Sequence, residues 1–305
     1  MSLYSALKGT GPSGFGYGST ADDVCAGLDL AGKTILLTGC NSGLGEETMR
    51  ALASRGARII AAARTVDKAR SASASVRGEV IPVACELSEP ESVRACVAQV
   101  KATGHRLAAI ICNAGIMALP ELHTQHGWEL QFFTNHIGHF ILVTGLLDSL
   151  ADDGRVVMVS SGAHFNAPPE GILFDNLDGA KGYKGWTFYG QSKLANLLFA
   201  RELGKRLEGT GKRANALHPG VIATNLARHM NPIARIGLAL GKPLVLKTIP
   251  QGAATQVWAA VHPDAGALNG EYLKDCNVAK SSRQGRDMEL AAKLWKKSEE
   301  IVSAL

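Results

Sequence analysis

The chain alternates short, almost uninterrupted apolar runs with longer stretches in which apolar positions return every three or four residues. T-I-L-L-T-G (34–39), R-I-I-A-A-A-R (58–64), E-V-I-P-V-A-C-E-L (79–87), L-A-A-I-I-C-N-A-G (107–115), R-V-V-M-V-S-S (155–161) and R-A-N-A-L-H-P-G (213–220) read as strands, with a last short one at G-E-Y-L (270–273). They lack clean polar/apolar alternation, the pattern of a parallel sheet covered on both faces. Helical periodicity predicts a helix through E-E-T-M-R-A-L-A-S-R-G ending at Gly56, and another opening near Ser88 with Pro90 in its first turn. It also predicts a long helix over about 125–150 and a helix carrying Tyr189 to about Leu207. Strands alternating with helices predict an α/β fold, a doubly wound Rossmann-type parallel sheet with helices on both faces. No repeat or composition shift divides the chain. Residues 1–31 read as an extended N-terminal extension and 32–305 as a single domain, with a substrate lid around 221–250.

Composition narrows the classes. Of 305 residues 46% are hydrophobic and 19% charged, which suits a globular protein with a substantial core. The net charge of +5 is mild and the basic residues are scattered, so no nucleic-acid partner is expected. Six cysteines form no C-x-x-C, which implies reduced, buried thiols and a cytoplasmic protein. The histidines show no ligand spacing, so no metal is expected. No apolar run reaches membrane-spanning length, and the N-terminus lacks a signal-peptide core.

The candidate chemistry begins at the first strand–helix junction, T-G-C-N-S-G-L-G (38–45). Gly39 permits a tight turn, Gly43 lets backbone approach a pyrophosphate, and Gly45 lets helix pack on strand; Asn41, Ser42 and Leu44 complete the loop. The helix N-terminus adds free N–H groups and a positive dipole. At the end of the second strand an NAD enzyme usually carries an acid for the ribose hydroxyls. Here the chain reads Ala62-Ala63-Arg64. Alanine does not repel a 2′-phosphate and Arg64 offers a forked guanidinium to it, so the expected cofactor is NADP(H).

Taken together, T-G-C-N-S-G-L-G, N-A-G (113–115), T-N-H-I-G-H-F, V-S-S, Y-G-Q-S-K and H-P-G resemble, in order and spacing, the short-chain dehydrogenase/reductase superfamily. C-E-L, F-T-N-H-I-G-H-F, Y-x-x-S-K-L-A-N-L-L-F-A-R-E-L and A-L-H-P-G-V are similar to its retinol dehydrogenase and WW-domain oxidoreductase branch, although no WW domain precedes them here. The resemblance implies that Asn113, Ala114 and Gly115 border the adenine ribose and steady the central strand. It puts Glu86 where aspartate is usual beside the adenine, with the Leu87 backbone as the alternative contact. It sets Pro219 and Gly220 beside the nicotinamide, with Thr224 reaching the carboxamide or pyrophosphate. Asn135 would hold a backbone-bound water linked to the lysine. A homodimer or homotetramer is the family's usual assembly.

Tyr189 and Lys193 stand one helical turn apart, a spacing that by itself is an ordinary surface pair. Within the resemblance they become a proton-transfer pair. A phenol titrates near 10, and bringing it to neutrality takes about 4 kcal/mol, which a lysine ammonium and an oxidised nicotinamide would supply together. Ser161, with Ser160 as the alternative, would steer the substrate oxygen. Leu226, Met230, Ile233, Ile236, Leu238 and Leu240 suit either a lipophilic alcohol or carbonyl (a retinoid, steroid or xenobiotic ketone) or packing against the protein body or a second subunit. The expected activity is interconversion of an alcohol with a ketone or aldehyde by hydride transfer. The competing reading is a non-catalytic dinucleotide sensor or scaffold, which would be free to lose Ser161, Tyr189, Lys193 or Asn135; all four stand.

Overall fold

The computed structural model describes residues 9–222 and 246–305. Thr224 and the six apolar lid positions from Leu226 to Leu240 lie outside the described residues.

Eight strands form one sheet: β1 (Thr34–Thr38), β2 (Arg58–Ala63), β3 (Val80–Ala84), β4 (Leu107–Cys112), β7 (Leu150–Val159), β8 (Arg213–His218), β9 (Tyr272–Lys274) and β10 (Asn277–Val278). β5 (Thr124–Gln125) and β6 (Trp128–Glu129) make a separate antiparallel hairpin. The order in the large sheet is β10-β9-β8-β7-β4-β1-β2-β3, parallel throughout except for β10 against β9. The chain builds β1, β2 and β3 outward, then returns to lay β4 on the other side of β1. That reversal opens a crevice beyond the carboxyl ends of β1 and β4, where doubly wound folds hold their ligands.

Successive residues of each strand face opposite layers. Leu36, Ile60, Ile110 and Val156 enter one core, while Ile35, Ile59, Ile111 and Val157 enter the other. The first core is covered by α4 (Pro90–Ala102), α5 (Gly138–Leu146), α6 (Gly185–Arg206) and α8 (Met288–Ser303). The second is covered by α1 (Ala21–Cys25), α2 (Gly43–Ala53), α3 (Val66–Ser73) and α7 (Ile249–Val261). This is the expected doubly wound fold.

Three local expectations change. The N-terminal extension is not simply extended: Thr20 and Asp23 form a reciprocal cap on α1, whose Ala21, Val24 and Cys25 are buried. The long helix expected from 125 starts only at Leu130, because His126 and Gly127 both take positive φ (50° and 81°) and turn the chain into the β5–β6 hairpin. Glu129 then caps the new helix, accepting a hydrogen bond from Phe132 N–H at 2.8 Å. Helices α3, α7 and α8 were not among the expected elements, although Thr248-x-x-Gln251 is a capping box in sequence as in structure.

All six cysteines are free and buried. No helix among the described residues is long and apolar enough to cross a membrane.

Candidate active site

A cleft of about 880 Å³ lies at the crevice between β1 and β4. Among the described residues, every site residue expected from the sequence lines it except Asn135, which sits behind its wall.

One end is made of backbone. Gly39 has φ +69°, and a Cβ there would press on Ala114 Cα at 2.9 Å. Gly45 is tighter still: a Cβ would collide with the Gly39 carbonyl oxygen and come within 2.7 Å of Asn113 Nδ2. Gly43 differs, with φ +56° and nothing within 4 Å of a built Cβ, so its missing side chain leaves open space in the cleft. Ser42 sits at the N-cap of α2 without making a side-chain cap, which leaves the helix's first N–H groups free to bind an anion. A glycine-lined cradle, free donors and a helix dipole fit a pyrophosphate. Exposed Arg64 stands at the rim beside Ala63, at the end of β2. Glu86 also lines the cleft, but its carboxylate accepts from Ser88 N–H at 3.3 Å and Ser88 Oγ at 3.0 Å, so it is folded back on its own loop.

Asn113 ties the two central strands together, donating from Nδ2 to the carbonyls of Thr38 (2.9 Å) and Gly39 (3.3 Å). Thr38 Oγ1 accepts from the N–H groups of Asn113 and Ala114, each at 3.0 Å. It lies 2.9 Å from His139 Nε2. His139 Nδ1 is 2.9 Å from the Asn135 carbonyl, which can only accept, so Nδ1 carries the proton and Nε2 accepts from Thr38. Burial holds this imidazole down to about 4, hence neutral. Sequence reasoning missed both Thr38 and His139.

Asn135 is buried in a π-helical turn, Phe133–Ile137, between the Leu130–Phe132 turn and α5. Its Oδ1 accepts from Ile116 N–H at 2.8 Å, and its Nδ2 donates to the Ile116 carbonyl and to Ser192 Oγ, both at 2.9 Å. Gly115 makes room for it: a Cβ there would lie 2.9 Å from Asn135 Oδ1 and 3.3 Å from Lys193 Nζ.

The other end is made of side chains. Tyr189 and Lys193 share a face of α6, with Nζ 5.8 Å from the phenol ring centroid. The Ser161 hydroxyl, which accepts from Ala163 N–H at 3.1 Å, stands close enough to Tyr189 to favour the ionised phenol, whereas Ser160 Oγ is turned inward and donates to the Lys193 carbonyl at 2.6 Å. Of the two serines, only Ser161 presents its hydroxyl to Tyr189. Gly190 permits the approach: a Cβ there would come within 2.7 Å of the Ala163 carbonyl oxygen, in the turn that follows Ser161. His218 accepts from Gly162 N–H at 3.0 Å and is held down to about 4 by burial, so it stays neutral. Gly220 has φ +97°, and the Lys247 chain fills the place its Cβ would take (Cδ at 2.6 Å). Lys247 Nζ pairs in turn with Asp275 at 2.6 Å.

The protein's own groups do not bring the Tyr189 phenol to neutrality, a shift expected from Lys193 and an oxidised nicotinamide together. Burial pushes Tyr189 up to about 12, and the group that opposes this is Ser161, not Lys193. Lys193 is itself held down to about 8 by burial and donates to the Val159 carbonyl at 3.0 Å. With these residues alone the phenol is firmly protonated at neutral pH.

A family profile described as short chain dehydrogenase matches residues 33–174. The chain is 40% identical to the short-chain dehydrogenase TIC 32 B, chloroplastic, of Brassica napus over 324 aligned positions, covering 100% of both proteins. It is 39% identical to retinol dehydrogenase 12 of Mus musculus, covering 92% of this chain and 90% of that protein. Among solved structures, an uncharacterized protein from Mycobacterium paratuberculosis superposes with a TM-score of 0.76 at 34% identity, covering 94% of this chain and 98% of that one.

Proposed function

From its membership of the short-chain dehydrogenase family, in the retinol dehydrogenase-like branch, we propose that this alcohol/carbonyl oxidoreductase is NADP(H)-dependent and acts on a lipophilic ketone, aldehyde or alcohol. The observation that carries the reading is the meeting of Ser161, Tyr189 and Lys193 in the cleft whose other end is the glycine cradle. The cradle and the free N–H groups of α2 would hold the pyrophosphate. Arg64 would pair with a 2′-phosphate, and no acid stands at Ala62 or Ala63 to repel one. A dinucleotide held there would supply or take up the hydride and, when oxidised, would add positive charge to the cleft.

The chain's own residues handle the oxygen and its proton. Ser161 Oγ donates a hydrogen bond to the substrate oxygen and fixes it against Tyr189. As that oxygen becomes an alkoxide, the Tyr189 hydroxyl gives it a proton. A phenol near 12 is far more acidic than an alcohol, so this transfer is downhill. The reverse reaction draws on the phenolate, the form that a neighbouring positive charge favours. The Lys193 ammonium, held on the Val159 carbonyl, stabilises the developing phenolate electrostatically. Asn135 and Ser192 brace Tyr189 from behind, Ser192 Oγ donating to the Tyr189 carbonyl at 2.8 Å.

The test is oxidation of NADPH and of NADH over carbonyls of graded size, with Tyr189→Phe in parallel. The variant is expected to bind NADPH as the wild type does and to lose turnover by roughly 10²–10⁴. Preference for NADH overturns the Arg64 argument; full turnover in Tyr189→Phe overturns the mechanism.

A further inference from the structure

Five large apolar side chains among the described residues are markedly exposed: Leu122, Phe165, Trp186, Val221 and Val278. Two of them, Trp186 and Val221, line the cleft. Trp186 is the larger, 51% exposed, in the first turn of α6. It precedes Tyr189 by three residues and Lys193 by seven, so all three project from one face of the helix. Its indole meets the Tyr189 ring edge to face, with centroids 6.0 Å apart at 81°. The wall nearby is apolar too, with Met117, Leu130 and Ala163 lining the same cleft.

We infer that Trp186 is the specificity-determining residue of this cleft, and that the substrate it selects is a carbonyl carried directly on a flat aromatic or fused-ring body. The inference rests on the oxidoreductase reading above. A half-exposed indole forgoes burial that a flat apolar partner restores, and stacked rings gain more than their buried area alone provides. Geometry restricts the partner. The indole adjoins the Tyr189 ring itself, so a ring lying on Trp186 presents its own carbonyl to the phenol hydroxyl, whereas a carbonyl at the end of a long chain would overshoot it. A branched aliphatic aldehyde reaches Tyr189 but has no face to lay on the indole.

The experiment compares an aryl ketone with a branched aliphatic aldehyde of equal carbon number in the wild type, Trp186→Ala and Trp186→Phe. The readout is the ratio of the two kcat/KM values. Trp186→Ala is expected to lower that ratio by about 10–100-fold, chiefly through KM for the aryl ketone, and Trp186→Phe to restore most of it. An unchanged ratio, or equal losses on both substrates, overturns the inference. A second measurement needs neither cofactor nor turnover: titrating the protein alone with the aryl ketone should quench indole fluorescence, and Trp186→Phe should abolish most of the quench. Of the other three tryptophans, Trp258 and Trp295 are buried, and the half-buried Trp128 lies outside the cleft against Lys297, so none of them meets a ketone bound there. Absence of turnover with every carbonyl and both cofactors, alongside quenching that depends on Trp186, would sink the oxidoreductase reading and leave the ring site standing. Quenching that survives Trp186→Phe would sink the ring site alone.

Discussion

The two ends of the cleft are built by opposite means. At the dinucleotide end the groups that face a ligand are backbone N–H and missing side chains: Gly39, Gly43, Gly45 and the uncapped start of α2. At the substrate end they are side chains: Ser161, Tyr189, Lys193 and Trp186. A site made of backbone is specified by volume, because any residue supplies an N–H but only glycine supplies the room. A site made of side chains is specified by chemistry, because a hydroxyl or ammonium has no substitute of similar size. The first end therefore resists added atoms and the second resists exchanged ones.

The sharpest way to break that contrast is Gly45→Val. Its added atoms collide with the Gly39 carbonyl and Asn113, so α2 must move off β1. Dinucleotide affinity is expected to fall by roughly a hundredfold or more, with a lowered Tm, read by nucleotide titration and thermal melting. Unchanged affinity would remove the volume argument.

Gly190→Ala probes whether the substrate end hides a volume constraint of its own. A methyl group 2.7 Å from the Ala163 oxygen displaces the turn that follows Ser161. The expected result is a loss of about tenfold in kcat with dinucleotide binding little changed. Equal losses in both would mean that the two ends are not separable.

The smallest effect is a pH profile. Tyr189 near 12 stays protonated through the neutral range, so reduction should be flat from about pH 6 and decline above about pH 8 as Lys193 loses its charge. Oxidation draws on the phenolate and should rise with pH over the same span. Measuring kcat/KM for reduction decides it; a rate that stays level to about pH 10 would remove Lys193 as the charge that supports proton transfer from Tyr189.

The legible and illegible parts of this molecule divide by the range of the interactions behind them. Strands β1, β4 and β7 declare themselves as apolar runs because each is covered on both faces. The glycine loop and the Tyr189–Lys193 spacing are local and could be read directly. Thr38 and His139 could not, since their bond joins residues 101 positions apart in sequence. Gly190 was visible only as a residue inside a helix; its role depends on the Ala163 carbonyl, which no helical pattern encodes. The raised Tyr189 was illegible for the same reason: the neighbouring ammonium is written in the sequence, and the depth of burial is not. The β5–β6 hairpin carried a faint local signal, the glycine of His126-Gly127, set within an otherwise helical apolar pattern.

The π-helical turn at Phe133–Ile137 constrains this segment's length as well as its composition. Its wide turn takes up one residue more than ordinary winding would, so a helix with one residue removed there would relax to ordinary winding with its two halves in nearly the same phase. Asn135 would then swing away from Ile116 and Ser192 while α5 kept its seat on the sheet. A single-residue deletion in this stretch should therefore spare the fold and cost the site, because only the wide turn presents Asn135 to Ile116 and Ser192.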